Sequence, residues 1–354
     1  DGSSKLAEGN KWGSFPSAAV AWRVSGEEFM KNLSWLSNLK LRLSYGQTGN
    51  DNVSAYQTRG SISGAKYYTF GSSESIGYVP NNLRNLDLGW ERTTEYNVGL
   101  DFGFLNNRIS GSIDIYKAET RDILMNRVIP SINGYASVME NIGKTESTGV
   151  DLTLSTVNIQ NKNFSWFSDF SLSHNREKIK ELASGQLKDE ANAWFVGEPF
   201  KVFYDYKKEG IWQLGEEAAA AANGQEPGDI KVQDVDGNGV ITTDDRIIYS
   251  QRPDVTFGFN NTFNYKGFDL SVFLYARLGQ WIAYDYNTTY RINALENGGN
   301  VDYWTPENPT NAFPRPNKSK SYTQVTYYST LKYEDGSFFK IRDITLGLSL
   351  IHIS

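Results

Sequence analysis

YNVGLDF at 96–102 and ISGSIDI at 109–115 decide the fold. In the first, Tyr96, Val98, Leu100 and Phe102 alternate with Asn97, Gly99 and Asp101. In the second, Ile109, Gly111, Ile113 and Ile115 alternate with Ser110, Ser112 and Asp114. A period of two belongs to a β-strand with one apolar and one polar face. Leu105-Asn106-Asn107-Arg108 separates the pair, and asparagine tolerates the positive φ of a tight hairpin. The alternation recurs. Val150, Leu152 and Leu154 stand against Asp151, Thr153 and Ser155, and Phe257, Phe259, Phe263 and Tyr265 stand against Gly258, Asn260, Thr262 and Asn264.

Working outward, strands are expected near 14–24, 38–47, 91–104, 108–121, 146–158, 164–176, 254–265, 267–280 and 337–347. Short connections follow at 105–108, 160–163 and 265–267, with a longer one at 26–37 whose Trp35 and Leu36 suit a membrane interface. Between them run excursions at 48–90, 122–145, 177–253 and 281–336. Loops of that length without structure are unusual in a compact domain and are usually functional. A soluble sandwich also alternates, but it does not place tight turns at one end and loops of tens of residues at the other. An outer-membrane β-barrel does: apolar residues face lipid, polar residues face a wet lumen, and the long loops lie outside. The expected fold class is therefore all-β, part of a large transmembrane antiparallel barrel. Nine strands leave two edges, which lipid does not tolerate, so further strands are expected at both ends. The opening DGSSKLAEGNKWGSFPS reads as the middle of a domain, and no leader is expected there.

Composition narrows the function. The chain has 354 residues and a net charge of −6, which argues against a nucleic-acid partner, because phosphate backbones need clustered Lys and Arg. Cysteine is absent, which removes thiolate catalysis, thiolate metal sites and disulfides. No apolar run is long enough for a transmembrane helix. The mean hydropathy of −0.50 does not oppose a barrel, where half of each strand and all the loops are polar. Aromatics reach 14%, as interface belts require.

Longer stretches carry a family resemblance. NKWGSFPSAAVAWRVSGEEFM (10–30), LSNLKLRLSYGQTGN (36–50), LDLGWERTTEYNVGLDFGFLNNRISGSIDIYKAETRDIL (86–124) and ENIGKTESTGVDLTL (140–154) come in that order. GDIKVQDVDGNGVITTDDRIIYSQRPDVTFGFNNTFNYKGFDLSVFLYARLGQ (228–280), WTPENPTNAFPRP (304–316) and DGSFFKIRDITLGLSL (335–350) complete it. Together they resemble the barrel of SusC/RagA-like TonB-linked outer-membrane transporters, nearly end to end. The resemblance implies a barrel of about 22 strands with an N-terminal plug and TonB box. It also implies a SusD-like lipoprotein over the outer mouth, the TonB complex as energy source, and glycans or oligopeptides as substrate. Residues 1–350 are then a barrel segment lacking plug, TonB box and terminal strands. The tail LSLIHIS (348–354) matches the translation of a transposon mosaic-end adapter, so residues 351–354 are expected to be a sequencing artefact. On the same implication the polar set Asn97, Asp101, Ser112, Asp114, Asp151 and Thr153 lines the substrate path or holds the plug.

The sharpest local motif is DVDGNGVITTDD (234–245). Asp234, Asp236 and Asn238 fill positions 1, 3 and 5 of a calcium loop, and Gly239 takes the sharp turn. Val240 offers its carbonyl, Thr242 stands ninth, and Asp245 stands where a bidentate Glu is usual. Structural Ca²⁺ stapling the 177–253 loop is the expectation; the competing reading is a metal-free Asp/Asn/Gly turn. The GxG at Gly237–Gly239 belongs to this loop and carries no nucleotide. An enzyme is not expected: His174 and His352 are the two histidines, so a triad or a His-based metal site lacks partners. Glu216-Glu217 reads as a solvated loop face, and Ala218–Ala222 as a short helix. Tyr67, Tyr68, Trp194, Trp212, Tyr303 and Trp304 are candidates for stacking on sugar rings, against packing within the loops. The alternative function is a Ca²⁺-dependent carbohydrate-binding adhesin on the cell surface, though no fixed-period repeat supports it.

Overall fold

The computed structural model describes residues 1–129, 132, 134–135, 137–289, 299–321 and 324–349. Residues 351–354, expected to be artefact, lie outside them, His352 included. Nine strands form one antiparallel sheet in chain order: β1 Ser17–Arg23, β2 Leu36–Asn50, β3 Glu91–Phe104, β4 Ile109–Arg121, β5 Lys144–Gln160, β6 Phe164–Glu181, β7 Val255–Tyr265, β8 Phe268–Leu278 and β9 Phe338–Leu348. Every expected strand is present, and β1 and β9 end the order, so the ladder does not close within this chain.

Register turns the alternation into two chemically distinct faces. Trp22, Leu41, Leu100, Ile113, Leu152, Leu172 and Phe257 stand opposite one another in succession across seven strands. Val20, Leu43, Val98, Ile115 and Val150 form the next such line. Much of this face has nothing over it: Val20 is 69% exposed, Leu43 56% and Ile115 54%. In water that would be an aggregation surface. At the short-turn end the face finishes in stacked rings, Trp35 on Phe104 at 5.7 Å and Trp166 on Phe263 at 5.7 Å. At the other end Tyr45 meets Tyr96 at 5.2 Å.

The turns follow from local chemistry. Leu105, Asn106 and Asn107 are all left-handed, with φ of 53°, 57° and 59°. Asn161 Oδ1 accepts from the backbone N–H groups of Asn163 and Phe164 at 3.1 and 2.9 Å, an Asx turn that reverses the chain. Beside it a bulge leaves Asn158 without a ladder partner. Its Nδ2 donates to Ser168 Oγ at 2.7 Å, and Ser168 Oγ and Trp166 Nε1 both donate to Asn261 Oδ1. Asn261 interrupts the aromatic run of β7, and this set satisfies the interruption internally, as an apolar surface requires.

The chain divides into two compact units: residues 1–200, 255–276 and 339–354, and residues 201–254 and 277–338. In the first, the long excursions carry hairpins of their own, Ser61–Phe70 with Ser73–Asn82 and Leu124–Val128 with Ser137–Asn141. The second pairs Val202–Asp205 with Ile247–Ser250, Lys208–Ile211 with Ile230–Val232, and Trp281–Ala283 with Tyr333–Asp335. Its core is Ile211, Ile230, Val232, Trp304, Tyr328 and Leu331. These loops are folded bodies.

Candidate functional site

On the polar face of the sheet Arg42 stands opposite Gly99, Gly99 opposite Asp114, and Asp114 opposite Asp151. Arg42 Nε lies 3.1 Å from both carboxylate oxygens of Asp101, and one terminal nitrogen lies 2.9 Å from Asp114 Oδ2. One guanidinium thus bridges two carboxylates from neighbouring strands, a geometry that lysine cannot reproduce. Gly99 makes the room: a Cβ there would sit 2.6 Å from Arg42 Cζ and 2.6 Å from Asp114 Oδ1. Ser112 and Thr153 share a hydroxyl hydrogen bond at 2.8 Å. Asn97 lies on the same face, opposite Ser44 and Tyr116. Asp101, Asp114, Ser112, Thr153 and Asp151 are therefore neighbours, as a polar wall. Arg42 is the hub that sequence reasoning missed. The signal was a pair of cations, Lys40 and Arg42, alternating with Leu39, Leu41 and Leu43.

The 234–245 loop is organised by its own carboxylates. Asp234 accepts the N–H of Gly237 at 2.8 Å and of Gly239 at 2.7 Å, with Gly237 and Gly239 at φ 73° and 83°. Asn238 Oδ1 accepts from Val240 N–H, and its Nδ2 donates to Asp236. Asp245 is fully buried. It accepts from the Thr242 and Val235 N–H groups at 2.7 and 2.8 Å and closes a capping box with Thr242. Those amides, Thr242 foremost, hold its carboxyl below the usual range. One oxygen each from Asp234, Asp236 and Asp245 lies within 4.8 Å of the others. Ligands about 2.4 Å from a single Ca²⁺ can be no farther apart than about twice that, so the three fit one ion. Asn223, which caps the helix Glu217–Ala222, accepts the Ile241 N–H at 2.8 Å. That tie was not legible in the motif.

Other candidates resolve into structure. Trp212 and Trp304 are 7% and 5% exposed; they donate to Gln225 and Gln213 and belong to the core and its rim. Trp194 packs edge-on against Phe200. Tyr67, Tyr68 and Tyr303 remain on the surface. Glu216 is bound by Lys231 at 2.8 Å and by the Gln213 N–H, and Glu217 by the Gly215 N–H. Both carboxyls are held below the usual range by those bonds. An acid–base pair needs its members pushed apart. His174, expected at a strand end, stands mid-strand in β6 between Val150 and Val255.

A family model described as TonB dependent receptor-like, beta-barrel, matches residues 1–215. The chain belongs to this family. It is therefore a segment of an outer-membrane β-barrel: the apolar face meets lipid and the polar face lines the lumen. The TonB-dependent receptor P3 of Formosa agariphila is 34% identical over 99% of the chain and 36% of its own length. The TonB-dependent receptor SusC of Bacteroides thetaiotaomicron is 32% identical over 99% of the chain and 35% of its own length. The chain spans just over a third of these relatives. Among solved structures, that of the RagAB peptide transporter superposes with a TM-score of 0.77 at 25% identity, covering 97% of this chain and 38% of the other. None of these relatives is named as an enzyme.

Proposed function

We propose that the whole protein to which this segment belongs is a TonB-dependent importer of oligomeric nutrients. It takes up glycans or oligopeptides with a SusD-like lipoprotein over its outer mouth. The observation that carries this is the similarity to SusC, 32% identity across 99% of the chain, which includes the folded loop unit and not the barrel strands alone. Substrate is captured among the long loops and the lipoprotein, and TonB drawing on a plug opens the lumen. Asp101, Asp114, Ser112 and Thr153 contribute a hydrated wall along which polar oligomers can exchange hydrogen bonds. Oligopeptides gain weight from the RagAB likeness and from the burial of Trp212 and Trp304, which removes two stacking platforms a glycan would use. Deleting the gene and growing the strain on panels of defined glycans and peptide mixtures tests the reading. Loss of growth on one class is expected, and growth equal to the parent on every source under conditions where the gene is expressed contradicts it.

Calcium is the second element of the reading. Asp234, Asp236, Asn238, the Val240 carbonyl, Thr242 and Asp245 hold a structural Ca²⁺, whose charge offsets three clustered carboxylates and fixes the 201–254 part of its unit. The convergence of three carboxylate oxygens supports this. Chelator should lower the melting temperature of the loop unit, and excess Ca²⁺ should restore it; no change on chelation contradicts the assignment.

A further inference from the structure

The lipid-facing surface changes character at its loop-side end. Tyr45 and Tyr96 close the apolar band, and Tyr96 stands opposite Lys117 on β4. Farther toward the loops, Glu146 accepts Lys117 Nζ at 2.8 Å and Lys178 Nζ at 3.0 Å. Glu119 is likewise held between Lys144, at 2.9 Å, and Arg121. Each triad carries two cations on one carboxylate and so keeps a net positive charge, in a chain whose total is −6. In each triad one cation reaches outward past the carboxylate. Glu146 and Glu119 side chains are 11% and 22% exposed, whereas Lys117 and Arg121 are 56% and 65% exposed. Lys117, Arg121 and Arg92, with the two tyrosines, line a groove of about 750 Å³. Asp122 also lines the groove, beside Arg92 and Arg121, and Glu181 stands opposite Lys144.

Position gives this groove its meaning. Interfacial tyrosines mark the edge of the hydrocarbon, and two residues of strand advance about 6.6 Å. The headgroup layer is about 5–8 Å deep on each side of the bilayer, so the triads stand at headgroup depth. Long loops face the exterior, which makes this the outer leaflet. We infer that the groove binds the phosphorylated headgroup of an outer-leaflet glycolipid. Arg121 and Lys117 contact phosphate oxygens, since guanidinium matches phosphate in bidentate fashion, and the tyrosines contact the adjoining sugar. The acyl chains lie along Val98 and Ile115 below.

The test uses the full-length protein in detergent, titrated with bisphosphorylated lipid A, dephosphorylated lipid A or inorganic phosphate, and read by thermal shift and native mass spectrometry. Lipid A is expected to bind and raise the melting temperature; the other two are not. K117Q/R121Q should weaken lipid A binding about thirtyfold, from two surface cations each worth about fivefold. K31Q/K162Q, at the opposite rim, should bind as wild type does. Should K117Q/R121Q fail to fold, as judged by its heat-modifiable mobility on a gel, K117Q alone is read the same way against about fivefold. Equal binding of dephosphorylated lipid A, an equal effect of inorganic phosphate, or unchanged affinity in the lysine variant overturns the inference.

Discussion

Arg42 shows how one residue fixes the meaning of its neighbours. With it, Asp101 and Asp114 are a paired lining; without it, they are two anions set diagonally on adjacent strands. Replacing Arg42 with Met should cost about 1–3 kcal/mol, toward the lower end because the pair is partly exposed to lumen water. Arg42→Lys should recover only part, since a point charge cannot serve both carboxylates. Equilibrium urea unfolding in vesicles reads both, and equal stability of Arg42→Met and wild type would show that the bridge contributes nothing. Asp245 makes a pH prediction. Its hydrogen bonds from backbone amides hold the folded carboxyl below the ordinary aspartate range, so its contribution is present above the unfolded value and disappears as pH falls through the lower, folded one. Exchange protection at the Val235 and Thr242 amides, corrected for intrinsic rates, should hold at about pH 5 and be lost only below about pH 4, the ordinary aspartate range. Loss of protection while the carboxylate is still ionised would break the link between Asp245 and the loop.

At the scale of the strand, the two faces answer to different solvents. Leu100, Ile113 and Leu152 are midway between the Tyr45–Tyr96 pair and the Trp35–Phe104 stack in the ladder. Ile113→Arg should therefore cost about 2–4 kcal/mol in vesicles, while Ser112→Arg, one residue away and facing the lumen, should cost below about 1 kcal/mol. Similar costs at the two positions would contradict the division of faces. Strand existence was legible because this division writes a period of two into the sequence. Strand length was less so: β2, β5 and β6 run to Asn50, back to Lys144 and on to Glu181, past the expected limits at 47, 146 and 176. Past the hydrocarbon the backbone ladder continues, but both faces meet water and the alternation stops reporting it. The hairpin of Ser61–Phe70 with Ser73–Asn82 was illegible for the same reason.

Taken whole, the chain joins a sheet whose outer face is exposed apolar surface to loops that fold on themselves. The loop unit explains why Trp212 and Trp304, weighed as stacking candidates, are buried while Tyr303 stays on the surface: a body of this size needs Trp304 and Tyr328 inside before any can be spared outside. The calcium motif was legible because hard-oxygen spacing is local, whereas Arg42 and Asn223 act across strands or segments that only the fold brings together. The central claim is that one face of the sheet touches acyl chains and the other touches water. The segment contains no cysteine, so single substitutions in the full-length protein, in intact outer membranes, report on it directly. Cysteine placed at Val98, Leu100, Ile113 and Leu152 should react with lipid-dissolved thiol reagent and resist a charged one. At Asn97, Ser110, Ser112 and Thr153 the order should reverse. Uniform labelling by the charged reagent along β3 and β4, with no period of two, would contradict the account.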